Sequence, residues 1–335
     1  MNSYIAKLAL LLYLISPLSY ADDVKSLKGF TMGNSYKVTW REAAISADRM
    51  HQLSTEIDLK LAEINAAMST WDKQSELSLI NQSDKPELPI SAELAYVVAE
   101  AKRLHQLTHG ALDVTLAPLI QLWGFGVSGQ ITQAPSQTEI DAALERTGTA
   151  NFNLNNTVLQ RDISQLNIDL SSIAKGHGVD VIANLLEQHG ITHYLVDIGG
   201  ELKLKGEKYP GRPWQVGIDK PYAFSHGQMA VITPGNRAVA TSGDYRRYFE
   251  SNGQHFSHIL DPNTGKPVNN NIVSVTVLAD LCMTADGLAT AFMVLPVIDS
   301  LQIANNNHIP LMIIKEEHGK LVTHYSNTFE KYINQ

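Results

Sequence analysis

The apolar residues of this chain change their spacing part-way along it, and that change limits the fold more than any other feature of the sequence. Ile45, Met50, Leu53, Ile57, Leu61, Ile64 and Met68 step mostly by three or four, which predicts one long amphipathic helix from about residue 42 to residue 68. Leu94, Val97, Val98, Ala101, Leu104 and Leu107 repeat the pattern as far as Gly110, a helix stop. Between residues 168 and 204 the reading is strand, helix, strand: 168–170 extended, 178–188 helical, 194–198 extended, with Gly199-Gly200 turning the chain. From residue 214 the helical spacing gives way to short β segments, expected at 214–218, 229–233, 238–241, 255–260 and 273–279. Turn signals such as Thr233-Pro234-Gly235-Asn236 and Asp261-Pro262-Asn263-Thr264-Gly265 separate them. A further helix is expected over 284–294. Helices followed by largely antiparallel strands predict an α+β fold of intimately joined subdomains, with no clean boundary between them.

Composition excludes several function classes. Of 335 residues 44% are hydrophobic and 18% charged, which rules out a disordered chain and a polytopic membrane protein. A chain of this length needs no staple to hold a core. Its single cysteine, Cys282, forbids an intramolecular disulfide and a cysteine-ligated zinc finger, and reads as a small buried hydrophobe. The formal charge is −8, from 34 acidic and 26 basic residues, with no block of Lys and Arg, so a backbone grip on nucleic acid is not expected.

The N-terminus reads as an address rather than as fold. Lys7 precedes the apolar run Leu8–Ile15, Pro17 breaks it, and Ser19-Tyr20-Ala21 offers a small-x-small cleavage site. The run is shorter than the roughly 20 residues that span a bilayer. Residues 1–21 are therefore expected to be a cleaved signal peptide and residues 22–335 one exported unit. No cysteine follows the apolar run, so no lipid anchor is expected at the cleavage site.

Six segments combine Gly, Asp, Thr and Ser beside apolar runs: 32–34, 68–72, 109–115, 169–176, 240–245 and 284–290. Taken singly, each is also what turns and helix caps look like. Asp286 and Thr290 stand four apart, so both oxygens face one side of a helix. One carboxylate and one hydroxyl form a sparse hard-cation site of the kind Mg²⁺ accepts when phosphates and waters complete its shell; the alternative is a local cap at Asp286 and a back-bond at Thr290. Lys175 lies between an expected strand and helix, where a cation can meet a phosphate, though the spacing is not that of a Walker loop. Trp71 is either a stacking platform for a flat ring or core. His258, beside a turn, is either a base or a surface residue.

Together and in this order, the segments resemble the ApbE family, the FAD:protein FMN transferases. The strings that carry the likeness are Met68-Ser69-Thr70-Trp71-Asp72 with Ser75-Glu76-Leu77-Ser78, then Gly110-Ala111-Leu112-Asp113-Val114-Thr115, then Leu122-Trp123-Gly124-Phe125-Gly126. They continue with Asp169-Leu170 and Ile173-Ala174-Lys175-Gly176, Val196-Asp197-Ile198-Gly199-Gly200, Thr241-Ser242-Gly243-Asp244-Tyr245, Ser257-His258-Ile259-Leu260-Asp261-Pro262, and the closing Ala285-Asp286 with Leu288-Ala289-Thr290. The resemblance implies that Met32, Trp71, Ala111, Leu112, Asp113, Asp169, Lys175, His258 and Leu260 line an FAD site. It implies Mg²⁺ held by Ser172, Asp286, Ala289 and Thr290, with Ser172 and Ala289 acting through backbone carbonyls, and catalytic roles for His258, Lys175 and Asp286. His177-Gly178 depart from the family pattern, where an aromatic residue and alanine are commoner.

The activity implied is transfer of the FMN half of FAD to a Thr or Ser hydroxyl of a target protein, with release of AMP. The implied targets carry a motif like Asp-x-x-Thr-Gly-Ala-Thr, as in subunits of sodium-pumping NADH:quinone reductase and related electron-transport complexes, and the implied location is the periplasm. Two rival readings use the same pocket: a Mg²⁺-dependent FAD diphosphatase giving FMN and AMP, and an exported FAD carrier without chemistry. The first half of the target motif also occurs within the chain itself, from Asp261 to Gly265, and is expected there to be a turn rather than an acceptor.

Overall fold

The computed structural model of the protein describes residues 24–334, apart from 43–44, 128, 130, 132, 164, 222–226, 244–247 and 252–253. The expected signal peptide and its cleavage point lie outside the described residues. Among the described residues no helix is long and apolar enough to cross a membrane.

An eight-stranded sheet organises the chain, in the order Val24–Thr31, Asn34–Arg41, Tyr194–Ile198, Glu201–Lys205, Ala238–Gly243, Ile272–Ala279, Leu311–Glu317, Lys320–Tyr325. Every neighbouring pair is antiparallel. In the sequence the opening hairpin is marked only by its turn segment 32–34, and the closing Leu311–Tyr325 pair falls in the short helix and strand expected between residue 294 and the C-terminus. Alternation sends successive side chains to opposite faces. Ala240, Val275, Val277 and Ile313 pack under the helices. Val239, Leu278, Met312 and Ile314 meet Trp214, Ile218, Ile232 and Phe329 on the other face. The expected α+β class with largely antiparallel strands is what the chain adopts.

The expected helices form, with shifted ends. The first runs Ala47–Met68, because Ser46 is extended and its hydroxyl accepts the Arg49 N–H at 3.1 Å; the chain before it is still strand as far as Arg41. The second, Ala92–Leu107, is capped by Ser91 in the same way. Residues 168–170, expected as a strand, pair with no ladder. Ile168 exchanges two hydrogen bonds with the Asn81 amide, and Asp169 N–H donates to the Val114 carbonyl at 2.7 Å. The helix expected from 178 starts four residues earlier, as Ala174–Gln188, so Lys175 lies in its first turn.

That helix and Cys282–Val294 carry no side-chain cap of their own. Each is capped by the other. Asp180 of the first accepts the N–H groups of Cys282 and Met283 at 2.8 and 3.0 Å, and Asp286 of the second accepts the Gly176 N–H at 3.0 Å. Each carboxylate thus satisfies orphan donors and meets the positive end of a helix dipole, worth about 1–2 kcal/mol apiece. Such an approach requires glycine at 176, where a Cβ would stand 2.5 Å from the Cys282 carbonyl oxygen. Cys282 is buried and unpaired, with burial pushing its thiol well up, as its apolar neighbours suggested.

Candidate functional site

Where the two capped helix ends meet the sheet, a cavity of about 400 Å³ opens. Segments far apart in sequence build its wall. The hairpin turn at Met32-Gly33, both at positive φ, presents Met32, whose carbonyl accepts the Asn34 amide at 2.9 Å. Trp71 stands on the loop that leaves the long helix. The Ser69 hydroxyl accepts the N–H groups of Trp71 and Asp72, while Ser75 and Ser78 both donate to the Ser69 carbonyl, at 2.5 and 3.0 Å. That knot is the physical content of Ser69 to Ser78 in the sequence. It leaves Trp71 66% exposed, so it is not core.

The Asp113 residue is half-buried, but its side chain is only 5% exposed and fully engaged. It accepts from the Thr115 N–H and hydroxyl at 2.8 and 2.5 Å and from the Thr149 N–H and hydroxyl at 3.0 Å each. Asp169 accepts the Ser171 N–H at 2.8 Å and so turns the chain towards Ser172. His258 and Leu260 come from the segment after the Gln254–Ser257 strand, and the His258 ring lies edge-on to Phe125 with centroids 6.3 Å apart.

The charged centre is Lys175. Its ammonium lies 2.8 Å from Glu201 Oε1 and 3.4 Å from Asp286 Oδ1. Burial pulls Lys175 down, but Asp286 and Glu201 more than offset it and hold the group cationic. Burial pushes the Glu201 carboxyl up to about 7 against the pull of Lys175. Asp286 is likewise raised by burial, against Lys175 and the Gly176 N–H. Among the described residues, the buried Glu201 Oε2 has no hydrogen-bond partner. Thr290, four residues beyond Asp286, has its hydroxyl 3.4 Å from Ser242 Oγ, a weak contact that leaves it able to take another partner.

Met32, Trp71, Ala111, Leu112, Asp113, Asp169, Ser172, Lys175, His258, Leu260, Asp286 and Thr290 all line this one cavity. Ala289 is the exception: it is buried on the same helix turn as Asp286 and Thr290 but is not part of the cavity wall. Asp286 does cap a helix, though the neighbouring one rather than its own. Glu201 was not visible as a site residue. A usable signal existed, since it pairs across the Gly199-Gly200 turn with Ile198, a core position, and so puts a carboxylate on a buried face. Asn34 and Ser242 also line the wall without having been foreseen there as contacts.

Among the described residues no three His, Cys, Asp or Glu side chains converge as a metal cage. The donors on the wall are instead one carboxylate oxygen facing the Lys175 ammonium at 3.4 Å, the weakly held Thr290 hydroxyl, and Ser172 as a further lining residue. This fits a hard divalent cation that arrives with substrate phosphates, since Mg²⁺ keeps few protein ligands.

The ApbE family model matches residues 32–313. The chain belongs to the ApbE family. It is 44% identical over 337 residues to the FAD:protein FMN transferase of Vibrio cholerae serotype O1, covering 100% of both chains. It is 41% identical over 315 residues to the enzyme of the same name from Haemophilus influenzae, covering 92% of this chain and 91% of that one. Among solved structures, the flavin transferase ApbE from Vibrio cholerae matches with a TM-score of 0.85 at 41% identity, over 92% of this chain and 100% of that one. The apo flavinyl transferase ApbE of Pseudomonas stutzeri matches at 0.84 and 34%, over 93% and 97%. ApbE membership accounts for the order of the segments along the chain, and the cavity is where the fold collects them.

Proposed function

We propose that this ApbE protein is a Mg²⁺-dependent FAD:protein FMN transferase, exported to the periplasm, that joins FMN through its phosphate to a Thr or Ser hydroxyl of a target protein. The observation that carries the reading is the Lys175 ammonium held between the buried carboxylates of Asp286 and Glu201, in a cavity whose lining also includes Met32, Trp71 and the Ala111–Leu112 pair. A polyanion with a flat ring matches that split between charge and apolar surface.

Bound Mg²⁺ would neutralise charge on the pyrophosphate. Asp286 and Thr290 would hold it, with Ser172 and Ala289 contributing carbonyl oxygens. Lys175 supplies a second cation, kept charged by its two carboxylates and aimed at the phosphate oxygens as charge grows on them. Trp71 and Met32 hold the ring of FAD, and orientation of the phosphorus follows from gripping both ends of the molecule. The acceptor oxygen then attacks the FMN phosphorus, the bond from phosphorus to the AMP oxygen breaks, and the hydroxyl proton passes to a base, for which His258 on the cavity wall is the candidate. AMP leaves with the electron pair of the broken bond.

The test is intact mass of an acceptor subunit of a sodium-pumping NADH:quinone reductase after incubation with enzyme, FAD and Mg²⁺, with AMP measured alongside. Covalent FMN with matching AMP is expected. AMP with only free FMN would make the protein a diphosphatase, and no AMP a carrier.

A further inference from the structure

A second depression, of about 580 Å³, lies beside the cavity, between the Gln137–Leu144 helix and residues 261–270. The two adjoin. Val294 lines both, and the segment that carries His258 and Leu260 on the cavity wall runs directly on as the wall of the groove.

This wall is preformed. The Asp261 carboxylate accepts the Asn263 N–H at 2.9 Å and the Thr264 hydroxyl at 3.1 Å, and the Asp261 N–H donates to the Lys266 carbonyl at 2.8 Å. From beneath, the buried Trp123 indole donates to the Gly265 carbonyl at 2.8 Å. Asn270 is engaged too, donating to the Met293 carbonyl at 2.8 Å. The side chains of Asn263 and Asn269 differ. Both are exposed, both line the groove, and neither has a hydrogen-bond partner among the described residues.

Geometry of the reaction demands such a trough. A Thr or Ser hydroxyl sits one bond beyond Cβ, and reacting atoms must approach to about 3–3.5 Å. The main chain that bears the hydroxyl therefore has to pass within roughly 6 Å of the phosphorus. A folded surface resting on the cavity rim does not bring main chain so deep; an extended segment lying in a channel does. Side-chain amides suit that occupant, since each donates to a peptide carbonyl and accepts from a peptide N–H.

We infer that the groove along residues 261–270 seats the main chain of the acceptor polypeptide as an extended segment, with Asn263 and Asn269 hydrogen-bonding its peptide groups. The inference rests on the transferase reading above. It places the main-chain contacts to the acceptor beside the cavity, separate from the FAD contacts.

The probe is the same quinone reductase subunit, titrated against wild type, Asn269→Trp, and the double variant Asn263→Ala with Asn269→Ala. Flavin-fluorescence quenching gives FAD affinity for each. In both variants KM for the acceptor is expected to rise about tenfold or more, with kcat, FAD affinity and melting temperature staying within about twofold or unshifted. The double variant only trims exposed side chains, so a misfolded Trp variant leaves the test intact. Covalent transfer by wild type with unchanged KM in the double variant would overturn the groove alone. FAD affinity falling in step with KM would also overturn it, by assigning the groove to FAD. Absence of transfer by wild type would overturn the transferase reading and the groove with it.

Discussion

Asp113 and Asp286 are both buried carboxylates on the wall of one cavity, and they are held in opposite ways. Asp113 accepts four hydrogen bonds from Thr115 and Thr149, which closes its shell within the protein. Asp286 has one oxygen on the Gly176 N–H and the other, among the described residues, facing only the Lys175 ammonium at 3.4 Å. A carboxylate with a closed shell fixes a loop. One that faces a single cation from a buried position can exchange that partner for another. The same residue type on the same wall thus serves scaffold in one place and, in our reading, chemistry in the other.

The contrast breaks first at Asp286. On the proposed Mg²⁺-dependent reading, Asp286→Asn keeps an oxygen but removes the charge that a hard cation depends on, so FMN transfer should fall by about 10²–10³-fold and the Mg²⁺ concentration needed should rise steeply. Thr290→Ala should cost far less. Transfer yield against Mg²⁺ concentration decides it; near-normal transfer by Asp286→Asn would leave the residue a helix cap only, worth about 1 kcal/mol.

Asp113→Ala sharpens the other side. It orphans the buried donors of Thr115 and Thr149 and should destabilise the fold by about 3 kcal/mol, read as a lower urea midpoint. A loss of FAD binding without a loss of stability would instead put Asp113 among the ligand contacts.

Glu201 stands between the two cases. Its folded-state carboxyl is raised to about 7 from an ordinary value near 4.5, chiefly by burial. The native state therefore keeps a proton that the unfolded chain releases, and the resulting stabilisation is full below about pH 4.5 and lost as pH rises through about 7. Glu201→Gln removes the titration. Its stability relative to wild type should improve by roughly 2 kcal/mol between about pH 5 and pH 8, measured by urea melts at both. A parallel pH dependence in the two proteins would refute this.

The smallest effect belongs to Trp71. Because the ring is largely exposed, Trp71→Ala should leave stability within about 0.5 kcal/mol while weakening FAD binding by about 1 kcal/mol, a fewfold change in quenching titrations. Unchanged affinity would make the ring incidental.

Much of this was legible from the residues. Helical spacing located the long helix because its buried stripe from Leu53 to Met68 repeats locally, and only its start was misjudged, where the Ser46 cap and not the apolar pattern sets the end. The Ile168–Leu170 stretch misled for a related reason. Its apolar, β-like residues are extended, but their backbone partners are a side-chain amide and a lone carbonyl, which no alternation reveals. Glu201 was missed because its significance lies in a cross-turn pairing rather than in a motif.

By itself, the sequence determined the class of fold and which segments carry the residues that gather on one cavity wall, because periodicity, turns and motif order are properties of neighbours along the chain. Tertiary structure decided how those residues are charged and restrained. Lys175 and Asp286 lie 111 positions apart, yet one is the other's counter-ion and each stands at the start of a helix, or caps one, in the same pair. Burial, which raises Glu201 and Asp286 and makes the ion pairs strong, exists only once the two helices and the sheet have closed around them.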